Sequence, residues 1–323
     1  MAKAIRIERV GAPEVLQLVD VAVGPPGPGE ARLRQTAVGV DFVDIYHRTG
    51  LYPLSLPTGI GVEAAGVVEA VGAGVGWVAP GDRVAYLAGP GAYATERVVP
   101  ADRLVRLPDS LDDRTAAGGW LKGLTAAALI LRTYPVAAGE TVLVHAAAGG
   151  VGLIMCQWLA LLGATVIGVV STDAKAAVAR AHGCHHVIVA GREDFVARVR
   201  ELTGGKGVPV VFDSVGRSTF DGSLDCLRPL GTMVSFGNAS GPVPPVDVGM
   251  LGRKGSLFLT RPSVFHYVAR REDLERYAGA LLDVVGRGKV KIEVTRTFPL
   301  AEAAEAHRAL EGRGTTGSLV LLP

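Results

Sequence analysis

Cysteine is scarce in this 323-residue chain: Cys156, Cys184 and Cys226 lie scattered, with no Cys-x-x-Cys pair. That excludes a disulfide framework and a cysteine-rich zinc lobe, and it suits a reducing cytoplasm. Aromatic residues make up only 6%, and none are interleaved with a basic stripe. Charge of either sign is not in excess, since 33 Lys+Arg face 31 Asp+Glu. Both features argue against a nucleic acid or a membrane surface as partner. No apolar run is long enough to span a bilayer. The opening Met-Ala-Lys-Ala-Ile-Arg-Ile-Glu alternates like a strand and lacks the apolar centre of a signal peptide. What the chain has in quantity is apolar residues, at 49%, and 43 glycines. That mixture suits an enzyme with buried parallel strands, and the length suits two domains.

One stretch organises the rest. Thr141-Val-Leu-Val-His145 is a short apolar run; Ala-Ala-Ala-Gly149-Gly150-Val151-Gly152 is a small-residue turn; an amphipathic helix follows to Leu162. This is the strand–turn–helix context of a dinucleotide fingerprint, with Gly149 and Gly152 at the second and third glycine positions and Ala147 at the first. Gly149 lets the backbone approach a pyrophosphate. Gly152 lets the helix pack close to the strand. The helix start, at Gly150 and Val151, offers N–H groups to an anion. A second buried strand, Thr165–Val170, ends at Ser171-Thr172-Asp173-Ala174-Lys175. A small hydroxyl followed by a lysine suits the 2′-phosphate of NADPH, with Asp173 as the alternative, an NADH-type ribose carboxylate.

Residues 3–108 read as short strands broken by Gly and Pro: Ala4–Val10, Glu14–Val19, Glu30–Val40, Gly66–Val71 and Asp82–Tyr86. Thr115–Arg132 reads as a helix loosened at Gly118-Gly119. Strand and helix then alternate, with strands at Thr141–Ala146, Thr165–Val170, His186–Val189, Val208–Asp213, Thr232–Phe236 and Ser256–Leu259. Six such strands make a doubly wound parallel sheet. The tail, with a helix at Arg271–Arg287, a strand at Glu293–Phe298, a helix at Ala301–Glu311 and a strand at Ser318–Leu322, is expected to return to the β lobe.

Several motifs together resemble a known family. They are Gly11-Ala-Pro-Glu14, Asp41-Phe-Val-Asp44-Ile-Tyr46-His-Arg48-Thr-Gly50-Leu-Tyr52-Pro53, Gly61-Val-Glu63, Leu121-Lys122-Gly-Leu-Thr125, His145-Ala-Ala-Ala-Gly149, Asp213-Ser214-Val-Gly216, Val234-Ser-Phe236-Gly237-Asn238 and Thr260-Arg261-Pro262-Ser263. From end to end the chain resembles the zinc-free medium-chain dehydrogenase/reductases, and among them the NADPH:quinone oxidoreductases of zeta-crystallin type. The resemblance implies an α/β fold: a GroES-like β lobe (1–119 with 262–323) and a doubly wound six-stranded parallel Rossmann sheet (120–261). It also implies a homodimer pairing through the strand near 255–259, and a nicotinamide in the cleft between domains. Independently, zinc-dependent relatives place Cys near position 41 and Gly-His-Glu where this chain has Gly61-Val62-Glu63. Asp41 and Glu63 alone are too few ligands for catalytic zinc. Without that Lewis acid, hydride goes to an acceptor that is already electron-poor, a quinone or an enone.

The resemblance implies roles residue by residue. The backbone of Phe236, Gly237 and Asn238 would hold the nicotinamide carboxamide. Ser214 would lie near the ribose, Thr125 beside the cofactor, and Arg261 and Ser263 on the nicotinamide side. Lys175 and Arg313, with Ser171 tolerating the group, would grip the 2′-phosphate. Tyr46 and Tyr52 would flank the nicotinamide and acceptor, offering an aromatic face and a phenolic proton. Asp41 stands where the family has Asn, beside the nicotinamide ribose. Val189-Ala190-Gly191 replaces a tyrosine near the adenine phosphate, with Arg192 as a substitute. Ala126-Ala127-Ala128 replaces aromatic lining and suggests a roomier pocket.

Other signals carry bland readings. His182-Gly-Cys184-His185-His186 straddles a helix end and a strand, so alternate residues face opposite ways and no metal is expected. His145 reads as packing beneath the sheet end, and Cys156 as core. Asp44, Arg48 and Glu63 read as a buried polar network, and Lys122 as helix-start packing, with a place near the ribose as the alternative. Two rivals stand beside a cytoplasmic NADPH-dependent quinone or enone reductase. One is an enoyl-thioester reductase, which would want a basic groove. The other is an NADPH-binding protein with an RNA-binding or structural role.

Overall fold

The structure, a computed structural model, describes Met1–Pro323 and divides into two units. The first comprises Met1–Lys122, Leu274–Ala278 and Ile292–Pro323; the second comprises Gly123–Asp273 and Gly279–Lys291. Most of 262–291 thus belongs to the second unit, where the sequence reading gave it to the first. The contacts explain why: Leu281 fills the space over Gly123, and the Gln157 side chain bonds the backbone of Lys291 in both directions (2.9 and 3.0 Å).

The first unit begins with strands β1 (Ala2–Ile7), β2 (Gln17–Val21) and β3 (Glu30–Val40). Helix α1 (Phe42–Thr49) precedes β4 (Thr58–Gly59), β5 (Glu63–Val71), β6 (Arg83–Leu87), β7 (Glu96–Pro100) and β8 (Leu104–Arg106), and α2 (Asp113–Ala128) follows. β1 pairs antiparallel with β2 and β4. The expected strand at Glu14–Val19 instead opens with a 3-10 turn, Pro13–Val15, because proline supplies a helical φ but no donor for a ladder.

The second unit is a βα alternation. Its strands are β9 (Thr141–His145), β10 (Thr165–Val170), β11 (His186–Val189), β12 (Val208–Asp213), β13 (Leu227–Ser235) and β14 (Phe258–Thr260). Its helices are α3 (Gly150–Leu161), α4 (Asp173–Ala181), α5 (Phe195–Leu202), α6 (Phe220–Asp225), α7 (Val248–Arg253), α8 (Val264–Tyr267) and most of α9 (Arg271–Gly286). The sheet order is β11-β10-β9-β12-β13-β14 and every pair is parallel, the doubly wound order in which β9 and β12 flank the switch point. Buried Val, Ile and Leu on both faces explain the unbroken apolar runs in the sequence. Side chains cap α4 and α5: Thr172 accepts from the Lys175 N–H, and Asp194 from those of Val196 and Ala197.

The chain then returns to the first unit as β15 (Val294–Pro299), α10 (Ala303–Glu311) and β16 (Ser318–Leu322). β16 pairs antiparallel with β3, completing the sheet β15-β16-β3-β5-β6-β8 to which β7 adds on β3. Gly118 and Gly119 are not a loose spot in α2. A Cβ at Gly118 would stand 2.8 Å from a Val294 methyl, and one at Gly119 would overlap Ile292. They are glycine so that helix and strand can touch. The helix ends at Ala128 and passes into a π-helical turn, Leu129–Thr133, short of the expected Arg132. No helix is long and apolar enough to cross a membrane.

Candidate active site

In the second unit, β9 turns into α3 through Ala146, whose φ of +50° is left-handed. The Gly149 N–H closes the turn on the Ala146 carbonyl at 2.8 Å. A Cβ at Gly152 would press into that same carbonyl oxygen and lie 2.9 Å from Ala147 Cα, so only glycine lets the helix start this close to the strand. No side chain caps α3, whose first N–H groups, from Gly150 and Val151 onward, face out of the strand end. This is the geometry of an anion site at a helix N-terminus.

At the end of β10, Ser171 is exposed and Thr172 caps α4. Asp173 pairs with Arg192 at 2.8 Å on the surface. The two residues considered separately, one for a ribose and one for an adenine phosphate, therefore hold each other. Burial pulls the Lys175 ammonium below the usual lysine range.

The ends of β12 and β13 are stitched together. Asp213 is fully buried and accepts from the N–H groups of Val215 (2.7 Å) and Gly216 (3.1 Å) and from the Thr219 hydroxyl (2.7 Å). Gly237 sits so tightly on Ser214 that a Cβ would come within 2.8 Å of Ser214 Cα. The Arg261 guanidinium donates to the Ser235 carbonyl at 2.8 Å. With its oxygen towards that guanidinium, the Asn238 amide accepts from Arg261 Nη2 and donates to the Gly237 carbonyl, each at 3.0 Å. Ser214, Phe236, Gly237, Asn238 and Arg261 thus form one loop cluster at the carboxyl edge of the sheet, and Ser263 starts α8 beyond it. Thr125 lies half-buried in α2. Ala126, Ala127 and Ala128 are buried in helix packing rather than lining an opening. His145 packs as expected: its Nε2 is 3.0 Å from Ser223 Oγ, its ring meets Phe195 edge-on, and burial lowers its pKa.

In the first unit, α1 carries the aromatic residues. Tyr46 and Tyr52 meet edge to face with centroids 5.1 Å apart. Gly50, left-handed at φ +80°, ends the helix and turns the chain back so that the Tyr52 N–H reaches the Tyr46 carbonyl at 3.0 Å. Phe42 and His47 flank the pair.

Beneath this helix lies a charge cluster. Lys122 Nζ is 2.7 Å from Asp41 Oδ1 and 3.3 Å from Glu63 Oε1, and all three side chains are buried. Glu63 also accepts from the Leu121 N–H, and β3 can pass only because residue 39 is glycine. Burial, then the Asp41 charge, pushes the Glu63 carboxyl well above its usual range. Burial would lower Lys122, but its pairing with Asp41 and Glu63 outweighs that and holds the ammonium above the ordinary lysine value. Asp44 Oδ2 accepts from the Asp41 N–H and the Tyr93 hydroxyl, each at 2.9 Å. Burial, then Asp41, raises the Asp44 pKa strongly. Tyr93 continues to His307 Nε2 (3.0 Å), and Arg48 lies against His307 Nδ1 (3.4 Å). Burial, then Arg48, pulls His307 down to about 3, so it is neutral. Arg48 is itself buried and clamps Glu311 with two bonds, 2.6 and 3.0 Å.

Sequence reasoning singles out Asp44, Arg48 and Glu63, but gives Lys122 helix-start packing or a place near the ribose rather than an ion pair, and misses Tyr93, His307 and Glu311. The signals were present: a lysine inside an Ala/Gly/Leu helix, and a histidine on the apolar phase Ala303, Ala306, His307, Leu310. Arg313 follows α10 in a left-handed conformation (φ +54°), beside a groove of about 500 Å³ that Arg296, Arg308, Thr315 and Thr316 help to line. In the histidine-rich stretch, His182 Nδ1 is 2.8 Å from the Val178 carbonyl, and His185 Nδ1 accepts from the Val166 N–H.

Residues 27–109 match the alcohol dehydrogenase GroES-like domain, and residues 150–283 match the zinc-binding dehydrogenase model. A quinone oxidoreductase of Pseudomonas aeruginosa is 51% identical over the full length of both chains. A 2-haloacrylate reductase of a Burkholderia species is 49% identical, over 100% of this chain and 99% of its own. The crystal structure of Escherichia coli quinone oxidoreductase complexed with NADPH superposes with a TM-score of 0.98 at 46% identity, covering 99% of this chain and all of that one. With this α/β architecture and these full-length similarities, the chain belongs to the quinone oxidoreductase branch of the medium-chain dehydrogenase/reductases.

Proposed function

We propose that the protein reduces quinones, or similar electron-poor carbonyl acceptors, with NADPH and without zinc. The observation that carries this reading is the pair of glycine-lined strand ends in the second unit. Gly152 under the Ala146 carbonyl and Gly237 against Ser214 leave backbone, not side chains, where a dinucleotide would lie. The residues present fit NADPH. Gly149, Gly150 and Val151 would face the pyrophosphate; Ser171, Lys175 and Arg313 would take the 2′-phosphate; Ser214 and Thr125 would lie along the ribose. The backbone of Phe236, Gly237 and Asn238 would hold the carboxamide, with Arg261 and Ser263 completing that loop. Bound NADPH supplies a hydride; the protein orients it and the acceptor and excludes water. Asp41 and Tyr46 would border the cofactor, and the Tyr46–Tyr52 pair would stack on the acceptor and hydrogen-bond its reduced oxygen. Lys122 supports the zinc-free reading, because its ammonium already occupies the space between Asp41 and Glu63.

The 49% identical 2-haloacrylate reductase favours a second reading, reduction of an alkene conjugated to a carboxylate or carbonyl. The protein would act as a homodimer in the cytoplasm. Supporting the dimer, β14 is an edge strand whose Phe258 is 60% exposed, a surface that a second copy would cover.

Titration of the apo protein with NADPH and NADH, followed by an ortho-quinone and then an acrylate, tests these readings. Tighter NADPH binding with rapid quinone-dependent loss of nicotinamide absorbance is expected. Turnover only with the acrylate would select the second reading, and equal affinities would remove the phosphate grip. Light scattering of the purified protein tests the dimer.

A further inference from the structure

The cluster under α1 holds more acid than it can keep ionised. Asp41, Asp44 and Glu63 are at most 5% exposed, and Lys122 is the cation among them. The nearby guanidinium of Arg48 is committed to Glu311. Three carboxylates against one ammonium would leave two negative charges without compensation in a dry interior, which is untenable. Hydrogen bonding points the same way. Asp41 Oδ2 and Asp44 Oδ1 are buried without a partner. The carboxyl groups of Glu63 and Asp41 lie within hydrogen-bond reach of each other. Two carboxylates are acceptors only, so that contact needs a proton between them. The groups facing the cluster are Lys122, the phenols of Tyr86 and Tyr93, and, behind Tyr93, the neutral His307.

We propose that Glu63 and Asp44 are resident acids, each carrying a proton at neutral pH, and that Glu63 supplies, by way of Asp41, the proton that acceptor reduction consumes. This rests on the reductase reading above. A two-electron reduction of a quinone needs one proton besides the hydride taken from NADPH, which leaves as NADP⁺. The Glu63 O–H bond breaks as an O–H bond forms on Asp41. That bond breaks in turn as the anionic oxygen of the reduced acceptor gains its hydrogen. A proton from solvent then returns to Glu63 by the same route, through Asp41. Glu63 acts through Asp41 and is a proton-supplying residue, not a catalytic one; Asp44 positions Asp41 by accepting from its N–H.

Infrared difference spectra of the intact protein in heavy water test the resident acids without any substrate. The wild type should show carbonyl stretches of undissociated carboxylic acid at neutral pH, with one component lost in Glu63→Gln and another in Asp44→Asn. No such stretch, or stretches that neither variant removes, overturns the proposal. With NADPH and quinone, Glu63→Gln should lower kcat about tenfold or more, with KM for NADPH unchanged and a larger solvent isotope effect, and Glu63→Asp should recover part of the loss. A kcat and pH profile identical to the wild type in Glu63→Gln would overturn the supply role. A wild type that reduces no quinone would instead count against the reductase reading, and the infrared result would still judge the acids.

Discussion

Replacing Lys122 by methionine tests the cluster most directly. Methionine keeps the length and apolar stem of lysine but removes the charge that sits 2.7 Å from Asp41 and 3.3 Å from Glu63. Breaking a buried ion pair from one side costs about 3–5 kcal/mol, because the remaining charge is left in a poor solvent. The cost must depend on pH. Glu63 and Asp44 are raised above their unfolded values by burial and by Asp41, so the folded state binds more protons than the unfolded state above those values. Their stabilising contribution is complete below the unfolded carboxyl range and is lost as pH rises through the raised values. Losing the Lys122 ammonium raises them further. The variant should therefore lose stability more steeply with pH than the wild type, by up to about 1.4 kcal/mol per pH unit for each extra proton the folded state binds. Urea denaturation of both proteins at about pH 6, 7.5 and 9, a range carried past neutrality because both acids still hold their protons there, followed by circular dichroism, measures the difference. The penalty should be smallest at the lowest pH. A loss below about 1 kcal/mol, the range of an exposed pair, would refute the reasoning, as would a penalty that does not vary with pH.

Arg48→Met should cost about 1–3 kcal/mol, measured as the shift in urea midpoint, because it removes two charge-assisted bonds to Glu311, whose carboxylate is 34% exposed and can turn to solvent; pairing it with Glu311→Gln should recover part of the loss. Lys175→Ala should weaken NADPH about tenfold or more, the worth of a charge-assisted bond to phosphate, and leave NADH within about twofold; equal losses for both, by fluorescence titration, would contradict its assignment. Asp173→Ala should change stability by no more than about 0.5 kcal/mol and leave both nucleotide affinities unmoved, since its partner is the exposed Arg192 and not a ribose; a selective loss of NADH affinity would reverse that view.

Local pattern revealed what is local. The strand–turn–helix at Thr141–Leu162, the six parallel strands and the return of the tail to β3 all appeared as apolar runs punctuated by glycine, and the structure has them. Ends moved by a few residues where an unusual backbone intervenes: β13 already begins at Leu227 and carries a left-handed Leu230, and β14 starts after a left-handed Ser256. Gly118-Gly119 misled because a glycine inside a helix reads as weakness until the strand it touches is known. Lys122 was opaque for the same reason. Its partners come from the end of β3 and the start of β5, far away in the chain, and no periodicity joins them. His307 and Tyr93 lie even further apart, and only the folded first unit shows that they share a hydrogen bond.

The pairing of β16 with β3 has a consequence for how the protein is made. Leu319 lies opposite Val40, and 279 positions separate them. At roughly 5–20 residues per second, a ribosome needs about 14–56 s to add that stretch. Throughout that interval Val38, Gly39 and Val40 of β3, two of them buried valines, have no strand to pair with on the side that β16 will take. The second unit, by contrast, has all six of its strands long before synthesis ends. An unpaired apolar edge is a template for the wrong neighbour. A nascent chain stalled at Lys291 should therefore show a protease-resistant Rossmann unit beside a first unit that binds chaperones.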